Sequence, residues 1–192
     1  VLAVILGLVV GGLLGTTAGY FGGIYETIVM RCTDVLMAIP SFLMALCVSV
    51  ALGTGILNTA IAIAASAVPS YARVTRASVL SEKSRQYVEA ASSISTGHMK
   101  IIIKHILPNI LSPILVESTL RIGASIVAIS GLSFIGLGVQ PPTAEWGSMM
   151  SSCLTYFRDY PWLVLFPGIA IMITIFAFNL FGDGLRDAFD PK

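Results

Sequence analysis

Charge is absent from four long stretches of this chain, and that absence constrains the fold more than any motif does. No Asp, Glu, Lys or Arg occurs before Glu26, between Asp34 and Arg73, between Arg121 and Glu145, or between Asp159 and Asp183. A membrane-spanning helix needs about 20 mostly apolar residues, because the hydrocarbon core is about 30 Å thick. The first and last stretches fit one span each. The second is too long for one, and Gly53-Thr54-Gly55 with Asn58 divides it into two helices joined by a tight turn. A further apolar run opens at Ile106 and is interrupted only by Glu117 and Arg121. Spans are therefore expected near 1–20, 35–52, 57–73, 110–134 and 162–182. This describes an all-α, polytopic transmembrane bundle forming a single domain over 1–192. The first span lacks the basic start of a cleaved signal peptide, and its apolar stretch exceeds the roughly 7–15 residues that such peptides use.

Composition agrees. The chain is 56% hydrophobic and 11% charged, against about 25% charged in a soluble domain. That excludes both a disordered chain and a water-soluble globule. The formal net charge of +1 leaves no basic excess for nucleic acid.

The few charges set the orientation. Arg76, Lys83, Arg85, Lys100 and Lys104 lie in the segment 74–109, with Arg73 at its edge, whereas 135–161 has Arg158 as its only basic residue. The positive-inside rule places 74–109 in the cytoplasm and the 53–56 and 135–161 loops outside. Glu26, Arg31 and Asp34 are then expected on a short cytoplasmic elbow. Residue 1 is expected outside, which a preceding in-to-out helix would explain. Within 74–109, Leu80, Tyr87, Ala91 and Ile94 recur at helix-face spacing, as do Met99, Ile102, Ile103 and Ile106. Ser95-Thr96-Gly97 between them predicts a turn, and Pro108-Asn109 predicts a stop before the next span.

Gly7, Gly11, Gly12 and Gly15 predict close helix approach in lipid, and Pro40 and Pro167 fall within or near span ends. Trp146, Tyr156, Phe157, Tyr160 and Trp162 predict an interfacial aromatic belt. No nucleotide-binding or nucleophile motif occurs. His98 and His105 stand seven apart, which is not zinc-protease spacing. Three cysteines, Cys32, Cys47 and Cys153, make no disulfide framework and are expected to pack as small apolar residues. No catalytic or metal-ligating residue is expected. Glu117 and Arg121 have the i, i+4 order that favours an ion pair within a helix. Two placements stay open for them: facing a bundle interior or pathway, or snorkelling to the cytoplasmic interface.

The segment from Glu89-Ala90-Ala91 to Ile106-Leu107-Pro108-Asn109 resembles the EAA loop of permease subunits of binding-protein-dependent ABC importers. Ala18-Gly19-Tyr20-Phe21-Gly22-Gly23, Gly131 to Gly138, Gln140-Pro141-Pro142-Thr143, Glu145-Trp146-Gly147 and Gly182 to Asp187 resemble the C-type permease of dipeptide, oligopeptide and nickel transporters. The resemblance implies a type I ABC importer permease fold of six spans, one more than this chain shows. It implies that Glu89, Ala90, Ala91, Ser92, Ser95, Gly97 and Pro108 form the coupling segment that meets an ATPase. It implies no cofactor in this chain, with ATP and Mg held by two cytoplasmic ATPase subunits. The other implied partners are a homologous second permease, an extracytoplasmic binding protein and the lipid of a bacterial inner membrane. Peptide is the first cargo it suggests and nickel the second. The family usually has Gly where Ser95 stands, so the turn is either displaced to Gly97 or tolerant of Ser. A rival reading is an ion-coupled secondary carrier using Glu117 and Arg121, although no internal repeat supports it.

Overall fold

The computed structural model of the chain describes residues 1–93 and 96–189. The described residues are helical apart from turns and contain no strand. In chain order they form α1 (Leu2–Phe21), α2 (Gly23–Met37), α3 (Ser41–Leu52), α4 (Ile56–Lys83), α5 (Gln86–Ser93), α6 (His98–Ile101), α7 (Leu107–Phe134), α8 (Trp146–Cys153) and α9 (Trp162–Phe189). A π-helical turn, Ile102–Ile106, joins α6 to α7.

The centre of the bundle is a parallel pair, α1 against α4. Gly7, Gly11, Gly15 and Gly19 repeat every fourth residue and form a groove along α1. A Cβ on Gly11 would lie 2.5 Å from the Val68 carbonyl oxygen, and one on Gly15 would lie 2.3 Å from that of Ala72. Gly19 abuts Arg76 and Val79 in the same way, and Gly7 abuts Ala64 and Ala67. Each step of four along α1 thus advances one turn along α4. Lipid offers no hydrophobic drive for helix association, so backbone contact of this kind supplies the dispersion energy that holds two spans together. Gly12, expected in the stripe, lies off it: a Cβ there would meet only Leu8, at 3.7 Å.

Among the described residues, three helices are long and apolar enough to cross a membrane: Leu2–Phe21, His98–Phe134 and Trp162–Ala188. The bent pair α2 and α3 adds a fourth if it is counted as one span. α4 is less apolar because its surface is taken up by neighbours, with Ala60, Ile63, Ala67, Tyr71, Thr75 and Val79 buried. It lies alongside α1 from Ala64 to Val79 and so covers the same depth.

Several boundaries depart from expectation. The straight span at 35–52 is replaced by two helices meeting at 90°. Pro40 cannot donate to the helix ladder and disfavours helical geometry at Ile39, so the chain turns there. The cytoplasmic elbow at Glu26–Asp34 is helix α2, tied to α4 by Arg76 Nε donating to Glu26 at 2.6 Å and by Arg73 to Asp34 at 2.7 Å. Pro108-Asn109 does not stop a helix. The chain is helical from His98 to Phe134, because the π turn widens the ladder ahead of the proline and Leu107 N–H bonds Ile102 O instead. Cys32 and Cys47 are exposed rather than packed.

The loop that follows α7 folds back on the bundle. Gly136 takes a positive φ of 85°, Ser133 Oγ accepts from Val139 N–H at 3.0 Å, and Ser49 Oγ donates to Leu137 O at 2.6 Å. Glu145 caps α8 by accepting from Ser148 N–H at 2.7 Å and also holds Ser130 Oγ at 2.8 Å. Gly147 has no room for a side chain, since a Cβ would sit 2.0 Å from Ser130 O.

If the α1–α4 groove is the central packing device, Gly15→Leu should destabilise the protein by at least about 1–3 kcal/mol, the usual cost of overpacking. Gly12→Ala should leave stability unchanged. Thermal unfolding in detergent checks both, and equal melting temperatures for the two variants would contradict the assignment.

Candidate functional site

The segment between α4 and α7 is the first site, and it is anchored rather than loose. α4 ends at Lys83, a short turn follows, and α5 carries Val88 and Ala91 on one face and Glu89, Ala90, Ser92 and Ser93 on the other. Val88 and Ala91 join a buried cluster with Tyr20 of α1, Val79 of α4, and Ile101, Ile102, Ile106, Ile110 and Ile114. The i, i+3 spacing of Val88 and Ala91 gives α5 one apolar edge, and the cluster buries it. The exposed edge is small and polar. Ser92 and Ser93 hydroxyls donate to the Glu89 carbonyl at 2.7 and 3.0 Å, and Glu89 forms no salt bridge among the described residues.

Polar contacts tie this segment to the bundle. The hydroxyl of Tyr20, at the end of α1, lies 2.9 Å from Nδ1 of His98, the first residue of α6. Lys83 Nζ donates to the Tyr20 carbonyl at 2.6 Å and stands 5.4 Å from the centre of its ring. One tyrosine therefore joins the ends of α1 and α4 to the start of α6. A hydrogen bond of this type contributes about 1 kcal/mol net. On the other side of the segment, Tyr87 donates to the Glu82 carboxylate and accepts from Asn109 Nδ2 at 2.9 Å. Desolvation and the adjacent Glu82 carboxylate push the Tyr87 phenol above its ordinary value.

The residues expected for coupling separate as follows. Glu89, Ala90 and Ser92 share the outward face of α5, while Ala91 is buried beneath them. Ser95 lies outside the described residues. Gly97 has φ −58° and ψ 143°, which any residue adopts, and a Cβ there would meet nothing within 4 Å. It therefore does not supply a left-handed turn. Pro108 is exposed in the first turn of α7. Of the apolar positions expected on one helix face, Ile102 and Ile106 are buried, whereas Met99 and Ile103 are exposed, and Ile101 takes the inward place. Ile94 lies outside the described residues. Sequence reasoning did not find Tyr20, Lys83 or Asn109 as partners. Tyr20 and His98 are 78 residues apart, and neither helix carries a local signal of the pairing.

The second site is the ion pair. Arg121 Nε donates to Glu117 at 2.8 Å, with side-chain exposures of 29% and 24%. Arg121 Nη2 also donates to Ser70 Oγ, and one turn away Tyr71 donates to Ser118 Oγ at 3.3 Å. Arg121 and Ser70 each lie midway along a helix of 28 residues. Arg121 thus links the middle of α7 to the middle of α4. A third feature is an open cavity of about 680 Å³ under the loop between α7 and α8, lined by Ile129, Ser130, Pro142, Glu145, Trp146 and Met149.

Comparison with known proteins gives this geometry its context. The family described as "Binding-protein-dependent transport system inner membrane component" matches residues 7–192. The chain is 46% identical over 192 residues to the glutathione transport system permease protein GsiD of Escherichia coli O6:K15:H31 (strain 536 / UPEC), covering all of this chain and 63% of that protein. It is 42% identical over 190 residues to the di/tripeptide transport system permease protein DppC of Pseudomonas aeruginosa (strain UCBPP-PA14), covering 99% of this chain and 63% of that one. The chain thus spans 63% of the length of these relatives. Its fold matches the inward-facing MetNI methionine ABC transporter in its native CY5 crystal form, with a TM-score of 0.79 at 15% identity, covering 98% of this chain and 90% of that one. A helical bundle of this build, matched by that family along residues 7–192, belongs to the binding-protein-dependent transport system inner membrane components.

Proposed function

We propose that the chain is the permease subunit of an ATP-driven peptide importer in a bacterial inner membrane, non-catalytic itself and coupled to ATPases through α5. The observation that carries this reading is the two-sided build of α5. Its exposed face, Glu89, Ala90 and Ser92, is free to enter a groove on another protein, while Val88 and Ala91 beneath it join a cluster shared with α1, α4 and α7. A pull on that face is delivered to the bundle rather than absorbed by a loop. Coupling segment, α1 and α4 then move as one body.

ATP and Mg belong to two partner ATPases in this reading. A homologous second permease completes the pathway, and an extracytoplasmic binding protein delivers cargo to the outer loop. Peptide is preferred over nickel because the two relatives compared above are named for di/tripeptide and glutathione transport. The ion-coupled carrier draws support only from the Glu117–Arg121 ion pair on α7, and that pair is already internally matched.

Glu89→Lys in the intact importer should lower ATP-driven uptake about tenfold or more, the equivalent of about 1.4 kcal/mol of docking energy, with unchanged membrane insertion. Uptake at the normal rate would remove α5 from the coupling path. Gly97→Ala should fold normally, as its backbone angles and surroundings allow. Tyr20→Phe should lose about 1 kcal/mol of local stability. Hydrogen exchange at residues 98–101 should rise while exchange in α1 and α4 stays slow; unaltered exchange there would show that the Tyr20–His98 bond holds nothing.

A further inference from the structure

The break at Pro40 does more than turn the chain. Because α2 ends at Met37 and α3 starts again at Ser41 in a direction 90° away, the two helices leave a recess against the middle of α4. It has a volume of about 250 Å³, and its polar lining is Ser41, Ser66, Ser70 and Arg121. A smaller recess of about 70 Å³ shares Ser41, Ser66 and Arg121 and adds Ser125. The guanidinium of Arg121 therefore lines both recesses, and inside a helical membrane bundle a charge is kept beside a partner or an aqueous path; its partner is Glu117.

Its hydrogen-bond capacity is not used up. A guanidinium carries five N–H donors in a planar fork, and the described residues accept from Nε and from Nη2. The remaining donors have no acceptor among the described residues. Glu117 balances the charge at rest, so the recess is close to neutral and would not trap inorganic anions from bulk water. A carboxylate entering it can still take the free edge of the fork, a geometry that arginine recognises in two parallel hydrogen bonds. The recess is smaller than the roughly 300–1,000 Å³ sites that enclose a whole small ligand. It suits one end of an extended molecule.

We infer that Arg121, with the hydroxyl of Ser41, is a way-station that receives the terminal carboxylate of a peptide cargo in the recess between α3, α4 and α7. The inference rests on the importer reading above and adds a binding contact to it. Ser70 holds the guanidinium in place by accepting from Nη2, and Glu117 competes with the cargo for the same cation.

The test uses the purified intact importer without its binding protein, so that the partner's own selectivity does not enter. Saturation-transfer NMR reads weak binding of alanyl-alanine and of its C-terminal amide. The acid should bind the wild-type complex at least about tenfold more tightly than the amide, a difference of about 1.4 kcal/mol. Arg121→Gln should abolish that preference, Arg121→Lys should retain part of it, and Glu117→Gln should strengthen binding of the acid. Equal binding of acid and amide by the wild type would overturn the proposal, as would an undiminished preference in Arg121→Gln. ATP-driven uptake of binding-protein-delivered peptide, measured on the same wild-type preparation, reports separately on the importer reading. Uptake without the acid preference would sink the way-station alone, and absence of uptake would sink both.

Discussion

Everything in this bundle is arranged around the contact between α1 and α4, where glycines bring two backbones together. Four glycines in α1 remove the side chains that would separate the helices, and α4 answers with Ala64, Ala67, Ala72 and the Cβ atoms of Tyr71 and Thr75. In lipid this is the available means of joining two apolar helices firmly, since their side chains gain little by leaving hydrocarbon. The consequence is directional. With its near side filled by α1, α4 can receive α2, α3 and α7 only around its remaining surface.

That arrangement explains where the polar groups sit. Arg73 and Arg76 leave α4 toward α2, Ser70 meets Arg121 on α7, and Tyr71 reaches Ser118 from the α1 side. At the far end of α1 the last glycine of the groove is followed by Tyr20, which joins the α1–α4 unit to the proposed coupling segment through His98 and the cluster around Val79. The break at Pro40 lies beside the middle of α4, so the polar recess opens beside the rigid pair rather than at an end of the bundle. Transport in this account is a movement of the pair that changes access to the recess.

Much of this was legible in the sequence, for reasons that can be named. Charge-free runs located the helices because the cost of burying charge in hydrocarbon is large and local. The Glu117–Arg121 pair was legible because its two residues share one helix at i, i+4. Gly7, Gly11 and Gly15 announced the groove, but Gly12 looked equivalent and is not, since only one face of α1 meets α4. Helix ends were less legible. α4 runs on to Lys83 and α9 to Phe189, because a charge marks where a chain leaves the apolar layer and not where its hydrogen-bond ladder stops. Pro40 and Pro108 carry the same chemical signal with opposite outcomes. One turns the chain through 90° and the other is absorbed by a π turn, and the difference lies in packing that the local sequence does not encode. The Tyr20–His98 contact was hidden because it depends on how three helices end together.

The central claim is that the coupling segment, α1 and α4 form one moving body. Electron–electron spin distance measurements test it directly, with labels at Leu13 on α1 and Met99 on α6, both exposed. The native cysteines would be replaced and the intact importer measured without nucleotide and with ATP trapped. The account predicts the same Leu13–Met99 distance distribution in both states, together with a changed distance from Leu13 to a label on the second permease. A Leu13–Met99 distance that shifts with nucleotide would show that the coupling segment moves independently of the glycine-packed pair, and would contradict the account.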